Sequence, residues 1–134
     1  MAAGYAVAQI YRHRIVMYYV SKRMEIAACH RLRLSYNSPC GGLHGHNWII
    51  TVYCKARKLN ADGMVCDFKH IKNAIHGKLD HSNLNEVLGF NPTAENIARW
   101  VVQRIPQCYK CKVQESEGNV AIYTSHNNAE TDEL

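Results

Sequence analysis

Several features that would assign a function at once are missing from this chain. No apolar stretch approaches the ~20 residues a membrane-spanning helix needs, so a transmembrane role is not expected. No run of five like charges occurs: the 16 Lys and Arg and 11 Asp and Glu residues are interspersed, and the formal charge is a mild +5. That distribution reads as solvated faces with a lean toward an anionic ligand such as a phosphorylated metabolite, and no nucleic-acid fingerprint accompanies it. There is no internal repeat, and no second cysteine pair matches Cys108-x-x-Cys111 as a zinc knuckle would require. The early apolar residues are broken by Arg12, His13 and Arg14, so no secretory leader is read there. The six cysteines are therefore expected as free thiols in a reducing cytoplasm.

What is present reads as one folded domain. A 134-residue chain that is 47% apolar and 20% charged can bury a core without disulfide or metal staples. Residues 1–16 neither alternate nor form a clear helical pattern, and they read as an extension ahead of Met17, disordered or loosely docked. The domain is placed at 17–125, with 126–134 as a flexible polar tail. From Tyr18 the pattern has period two. Tyr18, Val20, Met24, Ile26, Ala28 and His30 share one face, while Ser21, Arg23 and Glu25 take the other. A second strand is expected from about His44 to Lys55, after a loop marked by Asn37-Ser38-Pro39 and Gly41-Gly42. Asp67 caps a helix carrying Phe68, Ile71, Ala74, Ile75 and Leu79. Thr93 caps a second, with Ile97, Trp100, Val101 and Ile105 as its stripe and Pro106 as its stop. Residues 82–92 read as loop, and strands near 112–116 and 119–124 flank a Glu117-Gly118 turn. The order β-β-α-α-β-β predicts an α+β fold: an antiparallel four-stranded sheet with two helices on one face and edges that need cover.

The chemistry concentrates around Cys40-Gly41-Gly42-Leu43-His44-Gly45-His46. Residues two apart on a strand point the same way, so His44 and His46 project side by side. If the first two strands pair as a hairpin, His30 joins them at one end of the sheet. Three histidines with one open position describe a catalytic zinc site, whereas a closed set of four ligands would be structural. Cys40 fits either reading, as a fourth ligand or as a thiolate base or nucleophile. In Asp80-His81 a carboxylate can orient an imidazole and hold its tautomer. Glu115 shares a predicted strand face with Val113, which costs stability unless the carboxylate is paired. His13, His70, His76 and His126 have no such context and read as ordinary histidines.

Taken together, the segments Ala27-Ala28-Cys29-His30, Cys40-x-x-x-His44-Gly45-His46-Asn47, Asp62-Gly63-Met64-Val65-Cys66-Asp67-Phe68, Leu79-Asp80-His81-x-x-Leu84-Asn85, Pro92-Thr93-Ala94-Glu95-Asn96 and Glu115-Ser116 resemble the 6-pyruvoyltetrahydropterin synthase / 6-carboxytetrahydropterin synthase family. The resemblance runs from about Tyr18 to Thr124. It implies the tunnelling fold, in which three subunits join their sheets into a barrel, two trimers stack into a homohexamer, and active sites lie at subunit interfaces. It implies that His30, His44 and His46 hold Zn2+, that Cys40 is the general base with Asp80 and His81 as proton-relay partners, and that Glu115 anchors a pterin ring with Thr93 nearby. The implied substrate is 7,8-dihydroneopterin triphosphate. The three-residue gap between Cys40 and His44, with Asp67-Phe68, looks like the bacterial branch of queuosine biosynthesis, whose products are 6-carboxy-5,6,7,8-tetrahydropterin, acetaldehyde and triphosphate. The alternatives are triphosphate elimination alone, giving the 6-pyruvoyl product, and a non-catalytic zinc- or pterin-binding protein. Cys29 stands where the family has a small residue, Ser116 where threonine is common, and the first 16 residues and the Cys108/Cys111 pair lie outside the pattern.

Overall fold

A computed structural model of the chain describes residues 16–125. The expectations about the extension before Met17 and the tail from His126 therefore fall, apart from Val16, outside the described residues.

Two long strands form the frame. β1 (Tyr18–His30) and β2 (His44–Ala56) pair antiparallel along their whole length, in the register Met24↔Ile50, Ile26↔Trp48, Ala28↔His46 and His30↔His44. The alternation expected of β1 holds: Met24, Ile26, Ala28 and His30 are buried, whereas Ser21, Arg23 and Glu25 are exposed. On β2, Trp48, Ile50, Val52 and Cys54 bury the same face. Such a register is strongly specified, because a one-residue slip would turn every apolar side chain outward.

α1 (Phe68–Leu79) starts where Asp67 Oδ1 accepts the Lys69 N–H at 2.8 Å, and it buries Ile71, Ile75 and Leu79 at four-residue intervals. The chain then departs from expectation. Residues 82–92 are not all loop. β3 (Ser82–Asn83) runs parallel to β1 beside Ala28 and Cys29, and α2 (Leu84–Val87) is a one-turn helix capped by the Asn83 side chain. Elements of two and four residues are too short to carry a hydrophobic period. α3 (Ala94–Arg104) is capped by Thr93, whose Oγ1 accepts the Asn96 N–H at 3.1 Å. Its buried stripe is Ile97, Ala98, Val101 and Val102. Trp100, expected in that stripe, is only half-buried and lies under the Arg104 guanidinium, 5.0 Å from its ring centroid.

β4 (Cys108–Ser116) and β5 (Asn119–Thr124) complete the order β3-β1-β2-β4-β5. Among the described residues the sheet is thus five-stranded and mixed rather than four-stranded and antiparallel, and there are three α-helices rather than two. β4 begins four residues earlier than expected. The register shift at Tyr53/Cys54 leaves Tyr109 as an extra residue, so Cys108 and Cys111, three apart, both turn inward. The buried residues of α1 and α3 join those of one sheet face in a single core. The sheet is not closed: β3 and β5 are its edges, and Val120 and Ile122 on β5 are exposed. No helix among the described residues is long and apolar enough to cross a membrane.

Candidate active site

The pairing of β1 with β2 brings the three histidines together, because His30 lies opposite His44 and His46 follows two residues on. Their ring centroids are 4.6, 5.2 and 4.9 Å apart, mutually edge-on. Trp48 forms the floor: its ring centroid is 4.8 Å from that of His30 and 5.3 Å from that of His46, and its indole N–H donates to the Ala28 carbonyl at 3.2 Å. His30 is fully buried.

The backbone sets the tautomers of two of these rings. His30 Nδ1 is 2.8 Å from the Pro92 carbonyl and His44 Nδ1 is 2.7 Å from that of Gly42. A carbonyl can only accept, so both Nδ1 atoms carry the proton and both Nε2 atoms present a lone pair. The Nε2 atoms of His30 and His46 are buried without a hydrogen-bond partner. A buried polar atom left unpaired is costly, and a metal ion would satisfy both. The three donor atoms lie within 4.8 Å of one another, close enough for three imidazoles to share one metal ion. These residues fit a metal.

Burial, the strongest influence, pushes the His30 pKa below its ordinary 6.5; the neighbouring His44 and His46 push the same way, against the Pro92 hydrogen bond and the Glu115 carboxylate. A folded-state pKa below the unfolded value means that the unfolded chain binds the proton first. The metal-free protein is therefore expected to keep this stability above pH 6.5 and to lose it as the pH falls from there toward the folded pKa. Thermal melting of the metal-free chain across that range checks the sign; a melting temperature that rose on acidification would contradict it.

Glu115 on β4 reaches this cluster. Its carboxylate oxygens come within 3.5 Å of His46 Nε2 and 3.9 Å of His30 Nε2. The carboxylate's negative charge favours a cation among these nitrogens. Glu115 and Thr93 also line one cavity of about 370 Å³, together with Leu32, Glu95 and Asn119. The two residues expected to bind substrate are therefore brought together, next to the histidines.

Cys40 is exposed and lies in a 3-10 turn, Pro39–Gly41. Its loop is tied to two of the three histidines: the Leu32 N–H, two residues past His30, donates to the Cys40 carbonyl at 2.9 Å, and Gly42 accepts from His44. Asp80 and His81 lie elsewhere. The N–H of Ala27 donates to Asp80 Oδ1 at 3.0 Å, and the Ala27 carbonyl accepts the His81 N–H at 2.7 Å. That backbone hydrogen bond is the main reason the Asp80 carboxyl lies below the usual carboxylate range; burial opposes it, and His81 and His76, each 3.6 Å from Oδ2, add to it. His81 lines a hollow with Cys29, His46 and Asn47. Among the described residues, no hydrogen bond or ion pair joins Cys40 to Asp80 or His81.

Two asparagines missed in the sequence hold the chain beside the site. Asn85 accepts the Arg31 N–H at 2.7 Å and donates to the Arg31 carbonyl at 2.9 Å; Asn91 does the same for Arg33 at 2.9 and 3.0 Å. Each side-chain amide imitates a neighbouring strand. Nothing in composition marks this role, although Asn85 belongs to the Leu84-Asn85 segment already singled out. Asn85→Ala removes two bonds worth ~0.5–1.5 kcal/mol each and is expected to cost about 1–2 kcal/mol. Urea denaturation checks this, and an unchanged midpoint would contradict it.

Comparison with known proteins finds a family. Residues 19–128 match the family model described as 6-pyruvoyl tetrahydropterin synthase. The 6-carboxy-5,6,7,8-tetrahydropterin synthase of Bacillus subtilis is 24% identical over 121 residues, covering 78% of this chain and 83% of that protein. The human 6-pyruvoyl tetrahydrobiopterin synthase is 29% identical over 131 residues, covering 78% of this chain and 89% of that protein. The structure of Caenorhabditis elegans 6-pyruvoyl tetrahydropterin synthase superposes with a TM-score of 0.66 at 22% identity, over 84% of this chain and 99% of that one. The chain belongs to the 6-pyruvoyl tetrahydropterin synthase family.

Proposed function

We propose that this family member is a zinc-dependent lyase converting 7,8-dihydroneopterin triphosphate to 6-carboxy-5,6,7,8-tetrahydropterin, acetaldehyde and triphosphate, in queuosine biosynthesis. The observation that carries this reading is the three-nitrogen cluster of His30, His44 and His46 beside a cavity that Glu115 shares with Thr93. Zinc bound there would supply Lewis-acid polarisation of the substrate side-chain oxygens. Glu115 is suited to accept hydrogen bonds from the amino and ring N–H groups of a pterin, and Thr93 flanks the ring. Cys40 would serve as the base that takes a proton from the substrate side chain. Asp80 holds His81 in register to pass protons onward.

Cys40 and the Asp80–His81 pair act together if subunits meet. We infer an assembly in which the relay of one copy approaches the thiol of another, within a barrel of joined sheets and a homohexamer. This reading is supported by an exposed Cys40, a His81 side chain that is 85% exposed, and an edge strand β5 that leaves Val120 and Ile122 uncovered. A cytoplasmic setting suits the free thiols.

A second reading keeps the same site and stops at triphosphate elimination, giving the 6-pyruvoyl product. The human relative's 29% identity favours it as much as the Bacillus protein's 24% favours the first. The short gap between Cys40 and His44 argues for the carboxy-forming branch. Product identification by mass spectrometry after incubation with the triphosphate substrate separates them. The 6-carboxy product with acetaldehyde is expected, and a 6-pyruvoyl product would overturn that assignment.

A further inference from the structure

The densest group of nucleophilic side chains outside the candidate site lies at the other end of the sheet. Cys54 is eight residues along β2 from His46, about 26 Å at ~3.3 Å per residue, and its Cα partner on β4 is Cys108. The adjacent Lys55 N–H donates to the Gln107 carbonyl at 3.0 Å. Hydrogen-bonded and non-hydrogen-bonded pairs alternate along an antiparallel ladder, so Cys54 and Cys108 form a non-hydrogen-bonded pair. Consistent with this, the Cys108 N–H donates to Ile105 instead, at 3.2 Å. Such pairs hold their Cα atoms ~4.5 Å apart, inside the ~4.4–6.8 Å range a disulfide bridges. A third thiol completes the group. Both Cys108 and Cys66 act on the Cys54 thiol, and Cys66 is half-buried and lines a cavity of about 500 Å³ with Met64, His70, Arg104 and Gln107. Cys54 itself is fully buried and Cys108 nearly so.

We propose that Cys54 and Cys108 are a reversible redox site, a cross-strand disulfide formed and broken through Cys66 by low-molecular-weight disulfides and thiols. The exchange balances as follows. The Cys66 sulfur attacks a small disulfide, forming a mixed disulfide and releasing one small thiol that carries the Cys66 proton. Cys54 attacks the Cys66 sulfur and releases the second small thiol, which takes the Cys54 proton. Cys108 attacks Cys54, and Cys66 leaves as the thiol with the Cys108 proton. Two protein thiols are oxidised and one small disulfide is reduced to two thiols. The bridge would staple β2, which carries His44 and His46, to β4, which carries Glu115.

The test is incubation of the full chain with oxidised glutathione, alkylation of remaining thiols, and peptide mapping without reduction. A peptide pair joined through Cys54 and Cys108, with Cys66 and Cys111 alkylated, is expected; no bridge, or a bridge joining any other pair, would overturn the proposal. Cys66→Ser, at a half-buried position, is expected to form the same bridge at least tenfold more slowly. Formation at the wild-type rate would overturn the role of Cys66.

Discussion

His46→Ala is expected to abolish both metal retention and turnover while leaving the chain folded. His46 supplies one of three nitrogen donors from a position that is only partly buried, so its truncation opens a smaller void than loss of the fully buried His30 would. Changes to residues that merely orient a ligand weaken metal binding ~10–100-fold; removing a ligand outright should exceed that, by more than ~100-fold in Kd. The loss also frees the Glu115 carboxylate of one imidazole neighbour, 3.5 Å away, without burying a new charge. Stability of the metal-free variant should therefore change little. Competition against a chromophoric chelator measures the affinity, with exposed His70 on α1 as the control: His70→Ala should bind as the parent does. Equal affinity of His46→Ala and the parent would remove the three-histidine centre from the account.

Cys40→Ala is the second large effect and separates the two roles open to the thiol. As general base, Cys40 contributes to proton transfer and not to metal binding, so the variant should retain one metal per chain and lose turnover by ~10²–10⁴-fold. As a fourth ligand it would do the reverse, weakening metal binding first. The geometry favours the base. The His30, His44 and His46 donors gather without Cys40, and the thiol lies exposed in its 3-10 turn, in a loop whose carbonyls accept from the Leu32 N–H and from His44 Nδ1. X-ray absorption at the metal edge offers an independent view: a shell of nitrogen and oxygen is expected, and a sulfur ligand would contradict the assignment.

Much of the site was legible because it rests on strand periodicity. The alternation of Met24, Ile26 and Ala28 carries directly to His30, and the run from Trp48 to Val52 carries back to His46 and His44, so pairing two strands was enough to assemble the cluster. Glu115 was legible through Val113 on the same face. The sequence was silent where contacts are made by backbone or by very short elements. β3 exists because Ala27 bonds to both Asp80 and His81, a pattern no side-chain period records. The same bonds hold Asp80 and His81 against Ala27, and among the described residues no hydrogen bond or ion pair joins them to Cys40. The inward turn of both Cys108 and Cys111 depends on the bulge at Tyr109, which their spacing alone does not reveal. Asn85 and Asn91 looked like loop polarity and are backbone mimics.

The most direct test of the account is a metal titration of activity. The chain is stripped with a chelator, zinc is restored in increments, and conversion of 7,8-dihydroneopterin triphosphate is followed at each step together with bound metal. Turnover that rises in proportion to bound zinc and saturates at one ion per chain is the predicted result; full turnover by the metal-free chain, or none at full occupancy, would contradict it.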